Sequence, residues 1–495
     1  MTVSWTAEGY WLTRTVFQRT LAVVYLIAFV NAVNEFKPLV GEHGLTPAAI
    51  WMKQVSFRQT PSLFYFAQSD TAFTIAAWLG IALCCLVLTG LADAYWWWLS
   101  ALVWATMWAL YLSFVNIGQT FYAFGWESIL LEAGFYAIFL GSIRSAPQFV
   151  TILVLRWLCF RVMFGAGLIK LRGDPCWRDM TCLDYHYETQ PMPNPLSWYF
   201  YWAPEWTHRA GVWFNHFSEL VVPFGYFLPQ PIASIAGIIT IVFQASIAAS
   251  GNLSWLNLLT IALAVPMLDG RVLGALLPLR APTLHTPSYA HKIAAAALAV
   301  LVAWLSIAPI RNMLSPHQIM NTAYNPLHLV GTYGAFGGIT RTRYEVIIEG
   351  TDAAFPDASA LWREYEFRGK PGALGRQPPQ IAPYHLRLDW LMWFAAMSDY
   401  SDHPWFVNFM AKLLAGDGAV LGLLRRNPFP DQPPRFVRAQ LYRYQFTTPE
   451  ERRLTGNWWK RELVGSYFPA VSLETPGFRT VLENQGWLPP GMPPR

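Results

Sequence analysis

Charge is what this sequence has least of. Only 13% of its 495 residues are Asp, Glu, Lys or Arg, about half the share found in an ordinary soluble domain. The formal net charge of +5 is small for the length and is not gathered into any Lys/Arg tract. With no recognisable binding motif either, nucleic acid is not expected as a partner. There is no internal repeat and no low-complexity run. The N-terminus also lacks the pattern of a cleavable signal peptide. Glu8, Tyr10 and Trp11 precede Arg14 and Arg19, and no small-residue cleavage site follows the apolar run 21–33, which reads instead as a first span and signal anchor.

What the chain has in place of charge is apolar length. Hydrophobic residues make up 54% and tryptophans number 25, and Trp collects at membrane interfaces. Apolar runs approaching or exceeding the roughly 20 residues a bilayer demands cover 15–33, 71–91, 95–115, 121–143 and 149–169, then 211–228, 232–250, 253–268 and 290–310. The expected fold is therefore a multi-pass α-helical membrane protein of about nine spans. Only Gly251 and Asn252 separate the seventh and eighth runs, which could instead form a re-entrant pair. With a cytoplasmic N-terminus, nine spans place Arg14, Arg19, Arg144, Arg271, Arg280 and Lys292 on the cytoplasmic side. The loop 35–70, the hairpin 170–210 and everything after 310 then lie opposite.

Past residue 311 the composition turns aqueous, with crowded prolines and charges, and two domains are expected: a helical transmembrane domain 1–311 and an extracytoplasmic α+β domain 312–495. In 343–349 the residues alternate, Tyr344, Val346 and Ile348 against Arg343, Glu345 and Glu349, as in a half-buried strand. Segments 363–368 and 436–446 repeat the signal, and 384–397 and 405–414 read as helices with aromatic faces. A small antiparallel sheet follows.

Polar residues inside the spans need partners, because an unpaired charge at mid-membrane costs about 2.5–3.5 kcal/mol on insertion scales. Counting outward from the turn at 144–148 sets Glu132 level with Arg156 and Glu127 with Arg161, so ion pairs between the two helices are feasible, although residues five apart sit about 140° round a helix and both pairs cannot share one interface. With Asp174 and Asn215 these four residues make the expected polar core, a set of structural pairs or the lining of a polar cavity. Lys170 ends the fifth span, while Asn215, His216 and Glu219 lie in the sixth, His216 and Glu219 sharing one helical face. These form a base-like cluster or, more blandly, a snorkelling lysine beside an internally bonded pair. Cys84, Cys85 and Cys159 lie within spans as small apolar filler. Cys176 and Cys182, six apart in the polar hairpin, can close a loop disulfide if that side is oxidising. His186 alone does not complete a zinc site, and no metal or cofactor is expected.

Several long stretches carry a resemblance: GQTFYAFGWESILLEAGFYAIFL (118–140), the run from Arg156 to Phe200, FNHFSELVVPF (214–224), GNLSWLNLLTI (251–261), YGAFGGITRTRYEVIIEGT (333–351), PPQIAPYHLRLDWLMWFAAM (378–397) and RAQLYRYQFT (438–447). In these the chain resembles the lipase maturation factor family nearly end to end. The resemblance implies a membrane-anchored folding factor, or chaperone, for secreted lipases. Eukaryotic members are multi-pass proteins of the endoplasmic reticulum, and their C-terminal domain is the lumenal, client-handling part. In a bacterial member, which the compact Ala-rich chain suggests, the inner membrane and periplasm take those places. Candidate client-binding residues are then Tyr344, Val346, Ile348, Trp390, Trp393 and Phe394.

A shorter pattern, Gly167, Lys170, Leu171, Asp174 and Trp177, is similar to the segment around the catalytic lysine of vitamin K-dependent gamma-carboxylase. It implies a second reading, a membrane enzyme acting on a lipid quinone with Lys170 as base and His216 and Glu219 beside it. A cavity around Lys170 would favour the enzyme, and a filled bundle beside a grooved outer domain the folding factor.

Overall fold

The computed structural model describes residues 6–357 and 359–488. Six helical stretches within them are long and apolar enough to cross a membrane: Glu8–Val40, Asp70–Leu88, Trp97–Ile117, Phe149–Arg172, Ile232–Ser250 and Tyr289–Leu314. Their cores are helices α1 (Trp11–Asn31), α2 (Asp70–Leu88), α3 (Trp97–Ile117), α5 (Phe149–Arg172), α7 (Ile232–Ser250) and α9 (Tyr289–Leu305). The other three expected runs form shorter helices: α4 (Gly125–Ala137), α6 (Glu205–His216) and α8 (Leu256–Ala264). The 13 residues of α4 cover about 20 Å at 1.5 Å per residue, less than the roughly 30 Å of a hydrocarbon core. Burial accounts for the difference. Every residue of α4 except Phe135 is buried, so its length answers to the helices around it and not to the lipid.

Side-chain oxygens start the long helices where the sequence places Ser: Ser69 accepts from the Ala72 amide to open α2, and Ser288 from the His291 amide to open α9. Their outward faces carry large exposed apolar side chains, among them Ile75, Trp78, Leu102, Ile235, Val300 and Trp304. A belt of this kind is unfavourable in water and suited to lipid.

Basic residues gather at one end of the bundle. Arg14 bonds the Ser145 and Ile143 carbonyls, Arg19 meets Asp93 at 2.8 Å, and the Arg144 carbonyl accepts from the His285 amide at 2.7 Å. At the other end of α1, about 30 Å away by helical rise, a π turn at Ala32–Phe36 points Asn31 and Glu35 at the C-terminal region. Asn31 Nδ2 donates to the His385 carbonyl at 2.6 Å, and Glu35 accepts from the Arg387 amide at 3.0 Å.

The C-terminal region is built on a four-stranded antiparallel sheet. It comprises β1 (Arg343–Thr351), β2 (Arg363–Glu364), β3 (Phe436–Phe446) and β4 (Trp459–Val471), in the order β2-β1-β3-β4. Helices α11 (Arg387–Ala395) and α12 (Pro404–Leu414) pack beside it, after α10 (Ile307–Leu314) has ended the bundle. The 363–368 strand shrinks to two residues, and β4 is one the sequence did not announce.

The strand β1 corrects the expected inside-outside alternation. Arg343 and Glu345 are as buried as Val346 and Ile348. Arg343 donates to the carbonyls of Glu188, Gln190 and Pro191, and both Arg343 and Lys370 pair with Glu345, at 2.5 and 2.8 Å. The charged face of the strand is thus seated on the polar hairpin and does not face solvent.

Candidate functional site at the bundle–domain junction

The hairpin leaves α5 where the helix runs out of side chains that obstruct it. A Cβ at Gly167 would sit 2.7 Å from Leu220 and 3.0 Å from Glu219, so this glycine is what lets α5 and the sixth run approach closely. At Gly173 a Cβ would meet the Gly337 carbonyl oxygen at 2.2 Å. Asp174 then holds the turn. It accepts from the Cys176 amide at 2.9 Å and pairs with Arg341 at 2.7 Å, and hydrogen bonding from the Arg341 guanidinium holds its carboxyl down at about 2. Asp174 therefore pins the outer loop and is not part of a polar core. Cys176 and Cys182 are joined in a disulfide, and Trp177 Nε1 donates to the Phe336 carbonyl at 2.8 Å.

Lys170 sits above this turn and is 4% exposed. Its Nζ donates to both carboxylate oxygens of Glu219, at 2.6 and 2.7 Å, and to Asn215 Oδ1 at 3.1 Å; Asn215 Nδ2 in turn donates to Glu219 at 3.1 Å. The expected Lys170–His216–Glu219 cluster is corrected here. His216 Nε2 bonds the Trp177 carbonyl oxygen at 3.0 Å, and Asn215 takes the place assigned to it. The cause is a π turn at Phe217–Val221 directly after α6, which shifts the face on which Glu219 lands.

Beside this triad lies a cavity of about 630 Å³, within the roughly 300–1,000 Å³ of small-molecule sites. Met163, Ala166 and Lys170 of α5 form one wall, Phe214, Asn215 and Glu219 a second, Phe243 and Gln244 of α7 a third. The loop Tyr333 to Gly338 and Trp390, Trp393 and Phe394 of α11 close it from the outer region. His186 also faces it. Burial first, and the charge of Lys170 second, push that imidazole down to about 4, so it is neutral at physiological pH.

Two further buried ion pairs lie near the junction, in a register different from the one expected, and the second of them crosses from the bundle to the outer region. Arg161 pairs with Glu132, which also accepts from Tyr136 and, at 2.6 Å, from Tyr333. Glu127 pairs with Arg387 at 2.7 Å and accepts from Tyr111. Arg156 has no acidic partner among the described residues; it donates to the carbonyls of Pro266 and Tyr226 and to the Tyr10 hydroxyl oxygen. Counting outward failed because α4 stops at Ala137 and the next eleven residues to Gln148 are not α-helical, so the two arms are of unequal length. Arg387 lies outside the apolar spans, and its only signal in the sequence is a basic residue inside the largely apolar HLRLDWLMWF.

Of the client-binding candidates, Val346, Ile348 and Trp390 are buried and correct the expectation, Trp393 is half-buried and donates to the Thr189 carbonyl, and only Tyr344 and Phe394 are exposed. Nor is β1 an edge strand: it lies between β2 and β3, and Lys370 Nζ donates to the Val346 carbonyl oxygen.

Comparison with known proteins gives two family matches: the lipase maturation factor transmembrane domain over residues 12–275, and the lipase maturation factor C-terminal domain over residues 329–469. Lipase maturation factor 1 of Homo sapiens is 43% identical, covering 97% of this chain and 91% of the relative. The protein of the same name from Bos taurus is 44% identical over 94% and 90%, and lipase maturation factor 2 of Xenopus laevis 31% over 96% and 84%. No solved structure matches.

Proposed function

Since this chain belongs to the lipase maturation factor family and is a multi-pass integral membrane protein, we propose that it assists the folding and export of secreted lipases, with residues 1–311 as the membrane domain and 312–495 as the part that handles the client. The observation that carries this reading is the extent of the likeness: 43% identity over 97% of the chain, taking in bundle, hairpin and outer sheet alike.

On this reading the outer region lies in the lumen of the endoplasmic reticulum or, in a bacterial cell, in the periplasm. The Cys176–Cys182 disulfide supports that placement, because it sits at the outer end of the bundle and disulfides persist in oxidising compartments. The client surface is best sought on β4. It ends the sheet, pairs only with β3 among the described residues, and exposes Leu463 and Val464. An edge strand with apolar side chains can add a strand from a partly folded partner.

The carboxylase-like reading has the cavity around Lys170 in its favour. Against it, the three protons of Nζ are all donated, to Glu219 and Asn215, which describes a bound donor and not a free base. The test is secretion of active lipase from cells deprived of their own lipase maturation factor. The full chain should restore it and a chain ending before residue 312 should not, while Lys170→Ala should leave it nearly intact. Loss of secretion in Lys170→Ala at normal protein level would transfer the function to the enzyme reading.

A further inference from the structure

The cavity at the junction is a different matter from the surface on which a client docks. Its wall is mostly aromatic and aliphatic, with Met163, Ala166, Phe214, Phe243 and Trp390 prominent. Two ionised side chains reach it, Lys170 and Glu219, and they neutralise each other at 2.6 Å. A carboxylate or phosphate brought beside Lys170 would sit against Glu219, and a cation beside Glu219 would meet Lys170. Either would have to break a buried pair, which is strongly destabilising when one partner is left uncompensated. The His186 ring, by contrast, is half-buried on the wall with no hydrogen-bond partner among the described residues. A neutral imidazole offers one donor and one acceptor.

Access is from the junction as well. Six of the lining residues are exposed, Ala123, Ser246, Met320, Asn321, Gly338 and Phe394, and Ile319 and Met397 near them in sequence are exposed too, at 49% and 44%. An apolar lip at the outer end of a membrane bundle is placed to meet the interfacial layer of lipid.

We infer that the cavity binds an uncharged amphiphile drawn from the membrane, its hydroxyl- or carbonyl-bearing head at His186 and the Lys170–Asn215–Glu219 triad and its chain between α5, α6 and α7. The class is that of a monoacylglycerol, not a fatty acid, a phospholipid anion or a cationic lipid. Occupancy of this kind would brace the loop 333–338 and α11 against the bundle, because both contribute to the wall.

The probe is a monoacylglycerol carrying a photoactivatable diazirine in its acyl chain, added to the full-length protein in lipid nanodiscs, with labelled peptides identified by mass spectrometry. Label is expected on peptides containing Met163, Phe214 or Phe243. Unlabelled monoolein should compete for it, while oleate and sphingosine at the same concentration should not. Ala166→Trp, which fills the wall, should cut labelling about tenfold. Glu219→Gln tests the charge argument independently of filling. With Lys170 left unbalanced, the competitor preference should swing toward oleate by about tenfold, equivalent to about 1.4 kcal/mol. Label outside the cavity, oleate competing as well as monoolein on the wild-type chain, full labelling of folded Ala166→Trp, or no change of preference in Glu219→Gln would each overturn the inference.

Discussion

Two buried ion pairs face the same junction and do different things there. At the Glu127 corner the carboxylate is bonded by Tyr111 and Arg387. The guanidinium is bonded in turn by Asn31 and the Phe121 carbonyl and lies over the Tyr122 ring at 3.4 Å. At the Lys170 corner the ammonium bonds Glu219 and Asn215, whereas Arg387 Nη2 is buried with no hydrogen-bond partner among the described residues, yet it is the Lys170 pair that borders the cavity. The first pair reaches from residue 127 to residue 387, the second only from 170 to 219. Pairing alone therefore does not reveal what a buried charge is for. The Glu127 pair is closed on all sides and locks two distant parts of the chain, whereas the Lys170 pair is open on one side and sets the charge of a compartment.

Breaking the lock should be the most damaging single change. Arg387→Leu leaves Glu127 and Asn31 facing an apolar side chain in a site without access to water, and is expected to cost about 3–5 kcal/mol. The expected result is loss of the protein from the membrane fraction, or a much lower midpoint in thermal unfolding of detergent-purified protein. A normal midpoint would mean that the two corners do not differ.

Lys170→Ala should cost less, at or below the lower end of the roughly 3–5 kcal/mol range for a broken buried pair, since the neighbouring cavity lets water reach Glu219. The protein should still accumulate, with a reduced midpoint. A third step sharpens the contrast. Lys170→Met combined with Glu219→Gln removes both charges at once, and replacing a buried pair as a unit is often near neutral. The double variant should recover most of the midpoint lost in Lys170→Ala, within about 1 kcal/mol of wild type. If it stays as low as Lys170→Ala, the pair is as much a lock as Glu127–Arg387.

The sequence shows the membrane class and the β1 and β3 strands, because apolar length and period-two alternation are local signals. The partners of the buried charges were not legible. Pairing by counting assumes continuous helices, and the non-helical stretch after Ala137 breaks the count; the true partner of Glu127 lies 260 residues away. Two π turns, at Ala32–Phe36 and Phe217–Val221, decide which way Glu35 and Glu219 point, and no composition rule announces a π turn. Strand β4 was missed because Gly465, Pro469 and a charged run from Lys460 to Glu462 interrupt the alternation. Trp390 was offered as a surface because aromatic faces look alike whether they pack on a client or, as here, on Phe124 and Trp126.

At the rim of the junction the same chemistry should matter least, and it alone should show a simple dependence on pH. Asp174 and Arg341 form a charge pair whose guanidinium is 43% exposed, and exposed pairs are worth about 0–1 kcal/mol. Arg341→Gln is therefore expected to shift the unfolding midpoint little at pH 7. Hydrogen bonding lowers the Asp174 carboxyl to about 2 in the folded protein, below its ordinary value near 3.9. Its contribution is thus fully present above about pH 4 and fades as the pH falls toward 2. The difference between wild type and Arg341→Gln should accordingly be largest at neutral pH and shrink as acid is added through that window. A difference that instead grew on acidification would assign the stabilising role at this rim to some group other than the Asp174 carboxylate.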